Sequence, residues 1–191
     1  MKKIFAVALI AAASSAVFAQ NKDFLGASAG FNVEFKSTTV KFDDFSGLGK
    51  QNMIGSLSGD YGIGWDNDKV VLVGGKWDMG NTTIAEIGPV KLSEKRHYSV
   101  FVAPGVVLSN KTLAYGKLSY HSAKGYIEAG SEELSDSIKG IGYGVGIRTH
   151  LSGNWYLNVE AGKVSYSDKD IGSAKATTGT TYGLVGFSYK F

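Results

Sequence analysis

Read backwards from its end, the chain alternates. Phe191, Tyr189, Phe187, Val185 and Gly183 fall on one face of an extended segment, and Lys190, Ser188, Gly186, Leu184 and Tyr182 on the other. Successive side chains of a strand point to opposite faces, so the pattern predicts a strand with one aromatic and apolar row. Seven further segments repeat it. The first, from about Phe24 to Phe35, aligns Leu25, Ala27, Ala29, Phe31, Val33 and Phe35. The second, roughly Asn52 to Trp65, aligns Met53, Gly55, Leu57, Gly59, Tyr61, Ile63 and Trp65. The third, Lys69 to Met79, aligns Val71, Val73, Gly75, Trp77 and Met79. The fourth, His97 to Leu108, aligns Tyr98, Val100, Val102, Pro104, Val106 and Leu108. The fifth, Thr112 to Tyr120, aligns Ala114, Gly116, Leu118 and Tyr120. The sixth, Gly140 to Leu151, aligns Ile141, Tyr143, Val145, Ile147, Thr149 and Leu151. The seventh, Trp155 to Tyr166, aligns Trp155, Leu157, Val159 and Ala161. Pro104 has no N–H to donate, so the fourth strand needs a bulge or a gap in its ladder there.

Three short polar turns separate these strands in pairs: Asp66-Asn67-Asp68, Ser109-Asn110-Lys111 and Ser152-Gly153-Asn154. Their central residues recur at intervals of 43, the length of one up-and-down hairpin cycle. The segments between the other strand ends, about 36–51, 80–96, 121–139 and 167–179, are longer and polar. Short turns on one rim and long loops on the other, with an apolar row on nearly every strand, predict lipid outside and a polar lumen. A soluble barrel reverses that polarity and wets its exterior. The expected fold is therefore all-β: an eight-stranded antiparallel up-and-down transmembrane β-barrel. Aromatics near the strand ends fit two interfacial girdles, with Trp65, Trp155, Tyr189 and Phe191 at one rim and Phe35, Trp77, Tyr98 and Tyr120 towards the other.

The start of the chain has a different character. Met1-Lys2-Lys3 is a positive leader, Ile4 to Ile10 and the alanines after it are apolar, and Ala16-Val17-Phe18-Ala19 offers a small-x-small cleavage site. Residues 1–19 are thus expected to be a signal peptide and residues 20–191 the barrel domain. Loss of Lys2 and Lys3 brings the net charge from +3 to +1, which leaves no electrostatic footprint for nucleic acid. With no cysteine, an exported chain must be held by its sheet or its core. No apolar run after residue 19 is long enough to cross a bilayer as a helix.

These features resemble the eight-stranded outer-membrane barrel family, the group of OmpX-like and NspA-like small surface proteins and the N-terminal barrel of OmpA-like porins. The resemblance is carried by the leader, by Tyr115-Gly-Lys-Leu-Ser-Tyr120 and Gly142-Tyr-Gly-Val-Gly-Ile-Arg148 as alternating strands, by the turn series and by the terminal Phe191. It implies localisation in the cell outer membrane of a Gram-negative bacterium. It also implies that Phe191, with Tyr189 and Phe187, serves as the assembly signal read by the barrel-assembly machinery. Outer-membrane lipids, including lipopolysaccharide, are the implied surroundings, and a monomer is expected.

The faces opposite the apolar rows place Glu34, Asp60, Lys76, Lys117, Arg148 and Glu160 in the lumen. A barrel of about eight strands is only wide enough for side chains to fill it. Unpaired charges there would cost several kcal/mol each, so three acids and three bases are expected to pair in a network that plugs the barrel. Lys117, Arg148 and Glu160 are expected deepest, at mid-strand. The alternative is a narrow ion-conducting, porin-like channel.

His97-Tyr98-Ser99 puts a histidine and a serine on one strand face. The outer-membrane lipid A deacylases, also eight-stranded barrels, resemble this with a His and a Ser two apart. A serine hydrolase needs base beside nucleophile and acid behind base. Here the pair falls on the lumen face, lies far from the C-terminus and has no clear orienting carboxylate beyond nearby Glu94. The chain is expected to be no enzyme and to hold no metal and no cofactor. Asp43-Asp44, and Glu128, Glu132, Glu133 and Asp136, lack a calcium-loop spacing. A brief helix is expected around Ser131 to Ile138. Phe42 and Phe45 are candidates for a partner contact or for capping the barrel mouth. The expected role is a surface protein supporting envelope integrity or displaying its loops to an extracellular ligand.

Overall fold

The computed structural model describes residues 21–42, 45–87, 90–109, 111–129, 132–167, 169–171 and 174–191. Eight long strands form its wall: β1 (Gly26–Phe42), β2 (Phe45–Asp66), β3 (Lys69–Asp78), β5 (Val90–Ser109), β6 (Thr112–Ala129), β7 (Glu132–Ser152), β8 (Trp155–Tyr166) and β10 (Ala174–Lys190). Each pairs antiparallel with its neighbour, and β1 pairs with β10 from Ser28↔Lys190 to Phe42↔Ala176. These eight strands therefore close into a ring, which is what a spanning sheet requires in lipid.

The period of two sets which way each side chain faces. Phe31, Phe35, Met53, Tyr61, Trp77, Val100, Leu118, Tyr143, Val145 and Phe187 are all exposed on the outer wall. Glu34, Asn32, Lys76, His97, Arg148 and Glu160 are buried inside it. The polarity is that of a barrel in lipid, inverted with respect to a soluble core. The girdle aromatics are exposed too, from Trp65 and Phe191 at one rim to Phe35 and Tyr98 at the other.

Four features differ from the expectation. The long segments are built mostly of strand: β1–β2, β5–β6 and β6–β7 continue as paired ladders well past the apolar zone. Two short strands lie outside the eight, β4 (Thr82–Ile87) against β5 and β9 (Lys169–Ile171) against β10. The helix around Ser131 to Ile138 is absent, because Glu132 onward is β7, laddered to β6 from Ala129↔Glu132. Phe24 belongs to a 3-10 turn, Asn21–Phe24, that closes the short-turn end of the lumen, and is not part of the first strand.

Pro104 coincides with a gap and not a bulge. On the β6 side the ladder runs Val102↔Leu118 and resumes at Gly105↔Tyr115 without a change of register, whereas on the β3 side Pro104 pairs with Val71. The missing N–H costs one rung and no shift. Gly153 takes a φ of 56° in the two-residue turn between β7 and β8, a conformation that glycine adopts without a Cβ clash. In the β2–β3 turn the Asn67 backbone N–H, 2.8 Å from Asp66, and then the Lys69 ammonium at 3.0 Å hold the Asp66 carboxyl below its usual range.

The turn Asn21–Phe24 docks on a small apolar cluster of Val70, Leu72, Ala103, Val107, Leu113, Tyr115 and Tyr156. Phe24 meets Tyr156 with ring centroids 5.8 Å apart, and the Tyr156 hydroxyl donates to the Asp23 carbonyl. Gly62 makes this fit possible. A Cβ there would lie 1.9 Å from the Phe24 carbonyl oxygen, a backbone atom that cannot swing aside. Gly62→Ala is expected to push the turn out of the barrel and to cost about 1–3 kcal/mol, the usual range for overpacking. Urea unfolding in detergent measures it, and an unchanged midpoint would show that the turn contributes nothing to the plug.

Candidate functional site: the lumen charge network

Alternation delivers the lumen residues, and the stagger of the strands decides which of them meet. Nearest the short-turn end, Arg148 on β7 holds Asp60 on β2 through two parallel bonds, Nη2 to Oδ2 at 2.6 Å and Nη1 to Oδ1 at 2.9 Å. This is the forked guanidinium–carboxylate geometry that gives the strongest ion pairs. In the strand order β2 and β7 stand four places apart in a wall of eight, so the pair crosses the lumen from side to side. Arg148 Nε also donates to Asn158 at 2.8 Å, Asn158 to Ser188 at 3.0 Å, and Ser28 to Asp60 at 2.9 Å.

The next tier centres on Glu160. Lys117 Nζ donates to both its oxygens, at 2.9 and 3.0 Å, while the Tyr182 and Tyr115 hydroxyls donate at 2.7 and 3.1 Å. Lys117 also lies 4.3 Å from the centre of the Phe101 ring. Towards the hairpin end, Glu34 accepts from Lys76 and from Ser56, the latter at 2.9 Å, and its second oxygen lies 3.7 Å from Lys36. Lys36 bonds in turn to Asp78, which lies 3.7 Å from Lys76. Two lysines and two carboxylates thus share one buried square. Arg148 joins Asp60 and not the Lys117–Glu160 pair, so the three residues expected deepest occupy two separate tiers.

Above the square runs a hydrogen-bonded chain. His97 Nδ1 is 2.6 Å from Asp78, His97 Nε2 is 2.9 Å from His121 Nδ1, and His121 Nε2 is 2.8 Å from the Ser119 hydroxyl. The rings stack with centroids 5.1 Å apart. A nitrogen–nitrogen hydrogen bond needs one proton between its two atoms, so the histidines share one N–H across their contact. Asp78 is the carboxylate behind His97, a position for which the sequence suggested only Glu94. Among the described residues the Ser99 hydroxyl has no hydrogen-bond partner, and it is Ser119 that a histidine contacts.

Chemically, Asp–His–His–Ser is a base and nucleophile in series, but it is sealed. A Cβ on Gly142 would lie 2.5 Å from the Ser119 hydroxyl, and Ser119 and His121 are both buried. The cavity lower in the lumen, between Asp60, Lys76, Lys117, Arg148 and Glu160, measures about 30 Å³. That is room for water and little else. Lys36, Asp78, His121, Ser119 and Asn158 escaped the sequence reading. Lys36 and Asp78 carried a usable signal, since each lies two places beyond a predicted lumen residue, Glu34 and Lys76. The side chains of Phe42, Asp43, Asp44, Phe45, Glu94, Glu128, Glu132, Glu133 and Asp136, and all of residues 1–19, lie outside the described residues.

Residues 5–191 match the family model described as "Outer membrane protein beta-barrel domain". No curated protein matches the sequence. Among solved structures, the chain is similar to Ail, the attachment invasion locus protein of Yersinia pestis. The TM-score is 0.55 at 17% identity, over 87% of this chain and 100% of that one. Ail in complex with the heparin analogue sucrose octasulfate aligns with a TM-score of 0.54 at 18% identity, over 87% and 100% of the two chains. Neisserial surface protein A aligns with a TM-score of 0.52 at 13% identity, over 87% and 99%. At these identities the likeness is one of fold.

Proposed function

The chain belongs to the outer-membrane protein β-barrel domain family, and from that premise we propose that it is a surface protein with a plugged polar lumen, acting through its outer wall and hairpins. The observation that carries this reading is the Arg148–Asp60 pair, which spans the lumen above an apolar floor of Phe24, Leu72 and Tyr156. With the interior filled, transport and catalysis have no route, and the surfaces left for function are external. The short turns lie on the periplasmic side and the long hairpins outside. Residues 1–19 direct export and are removed, Phe187, Tyr189 and Phe191 address the chain to the assembly machinery, and the folded protein is a monomer. Because Ail was solved with a heparin analogue, a sulfated glycan is a rational first probe for the hairpins.

Heat-modifiable gel migration of outer-membrane fractions, then planar-bilayer recording of the same sample, tests the proposal. A shift on boiling with no ohmic steps is expected from the native protein. Arg148→Ala, which opens the crossing pair, is expected to introduce small conductance steps. Steady steps from the native protein would replace this reading with a narrow channel. A change in lipid A mass on expression, lost in Ser99→Ala or Ser119→Ala, would replace it with an enzyme.

A further inference from the structure

Above the buried square two histidine nitrogens face each other, and a plugged lumen gives them no task. His97 and His121 are 24 residues apart, and the β5–β6 ladder brings them together. Their ring planes are nearly parallel, at 13°, with centroids 5.1 Å apart. That distance is close to the 2.9 Å nitrogen contact plus one ring radius at each end, so both nitrogens lie near the line joining the rings. Asp78 accepts the Nδ1–H of His97 at 2.6 Å, which leaves a lone pair on His97 Nε2. His121 has two choices. It can donate Nδ1–H to His97 and accept from the Ser119 hydroxyl, or donate Nε2–H to Ser119 and turn a second lone pair on His97. The second arrangement is repulsive unless a cation lies between the two nitrogens.

The surroundings suit a cation at that point. A carboxylate behind the ring, as Asp78 is behind His97, orients and strengthens a metal-bound histidine. Ser99 pairs with His121 across the ladder and lies two places from His97 on the same strand face. Its buried hydroxyl has no hydrogen-bond partner among the described residues. The register shift between Lys95 and Tyr98 keeps a further positive charge away. Alternation from His97 would send Lys95 into the lumen. The extra residue, Arg96 at a φ of 54°, turns Lys95 outward instead, to lie 4.2 Å from the centre of the Tyr126 ring. A non-glycine residue is strained in that conformation, and such strain clusters at functional sites.

We infer that His97 Nε2 and His121 Nδ1 bind copper(I) in line between them, inside the upper lumen. The donor set selects the ion. Among the described residues no three histidine or carboxylate side chains converge to hold a metal, whereas zinc takes four ligands and calcium takes more. Closed-shell monovalent copper is satisfied by two nitrogens in line, and imidazole is a donor that copper accepts. Charge selects the same way. Lys36 and Lys76 already balance Glu34 and Asp78 below, so a single added charge costs less to bury than a double one. Metal–imidazole bonds of about 2 Å put the nitrogens about 4 Å apart, so the rings must part by about 1 Å. Gly142 provides room, since a Cβ there would lie 2.6 Å from His121 Nε2, on the ring edge away from His97. The ion would enter from the hairpin end, because the Arg148–Asp60 pair and the turn Asn21–Phe24 close the other. The site lies in the lumen and is independent of what the hairpins bind.

The test uses the full mature chain refolded in detergent, with folding checked by heat-modifiable migration. Copper(I) is titrated without oxygen, under ascorbate, against a chromogenic copper(I) chelator, and bound metal is counted by native mass spectrometry. One ion per chain is expected, with two nitrogen neighbours and no sulfur by X-ray absorption. Silver(I), a stand-in that needs no reductant, is then added to protein with isotope-labelled histidine nitrogens. Splitting of the His97 Nε2 and His121 Nδ1 resonances by the silver nucleus is expected, with the proton of His121 moved to Nε2. His97→Gln and His121→Gln are each expected to lose more affinity than the about 10–100-fold that follows removal of a group behind a metal-bound histidine. His150→Gln, at a turn on the other rim, is expected to bind as the native chain does. Absence of copper(I) binding by the folded native chain would overturn the site and leave the pair a hydrogen bond only. Full binding by either glutamine variant, silver splitting confined to His150, or zinc bound as tightly as copper(I) would overturn it too. Where a glutamine variant does not fold, the silver spectrum of the native chain decides.

Discussion

Glu34→Ala is expected to destabilise the folded barrel by about 3–5 kcal/mol, the cost of removing one partner from a buried ion pair. Glu34 is fully buried, and its two oxygens face Lys76, Ser56 and Lys36. Alanine leaves two ammonium groups with Asp78 as the remaining carboxylate of the square. The wall is too narrow to admit enough water to replace the lost partner. Urea unfolding in lipid vesicles, followed by the fraction that keeps its folded gel mobility, measures the loss. The double variant E34Q/K76M is the control. It removes both charges and keeps the volume, so most of the lost stability is expected to return, the coupling that a double-mutant cycle detects. A loss below about 1 kcal/mol from Glu34→Ala would mean that the square is hydrated and contributes as weakly as a surface pair.

Deletion of Phe191 is expected to leave export intact and to keep most of the protein out of its folded outer-membrane form. Phe191 is 76% exposed, so its ring packs little of the barrel together. Its backbone N–H donates to the Ala27 carbonyl at 3.0 Å and closes the last rung of the β1–β10 seam. Its ring stands edge-on to Tyr189, 5.5 Å away, and Tyr189 in turn to Trp155 at 5.2 Å. One hydrogen bond contributes about 0.5–1.5 kcal/mol, too little to abolish folding by itself. Deletion should therefore lower the stability of protein refolded in detergent only slightly, yet sharply reduce heat-modifiable protein in cells. Phe191→Ser keeps the backbone N–H and removes only the ring, so a matching defect in cells assigns the effect to the aromatic side chain. Normal assembly of both variants in cells would remove the role given to the C-terminal row.

The architecture was legible because each face of a strand meets a single environment. A lipid-facing position in β2 or β7 must be apolar whatever its neighbours are, so Met53, Tyr61, Tyr143 and Val145 could be assigned by counting in twos. The two-residue turns were legible for the same local reason. The hairpin end was harder to read. Above the lipid both faces are wet, the alternation fades, and 121–139 reads as a polar loop although β6 and β7 continue through it as a ladder. His121, on that segment, was missed in consequence.

Residue types inside the barrel were thus set by the sequence alone, and their partners were not. Counting in twos places Arg148, Lys117 and Glu160 in the lumen, but it cannot choose Asp60 for Arg148 across the barrel, or Glu160 for Lys117 two strands away. Nor can it bring Asp78 behind His97 and His121 against Ser119. Those meetings depend on the tilt and stagger with which eight strands close, a property of the whole sheet. Which face a side chain takes is local, whereas which charge it meets is decided only when the last strand pairs with the first.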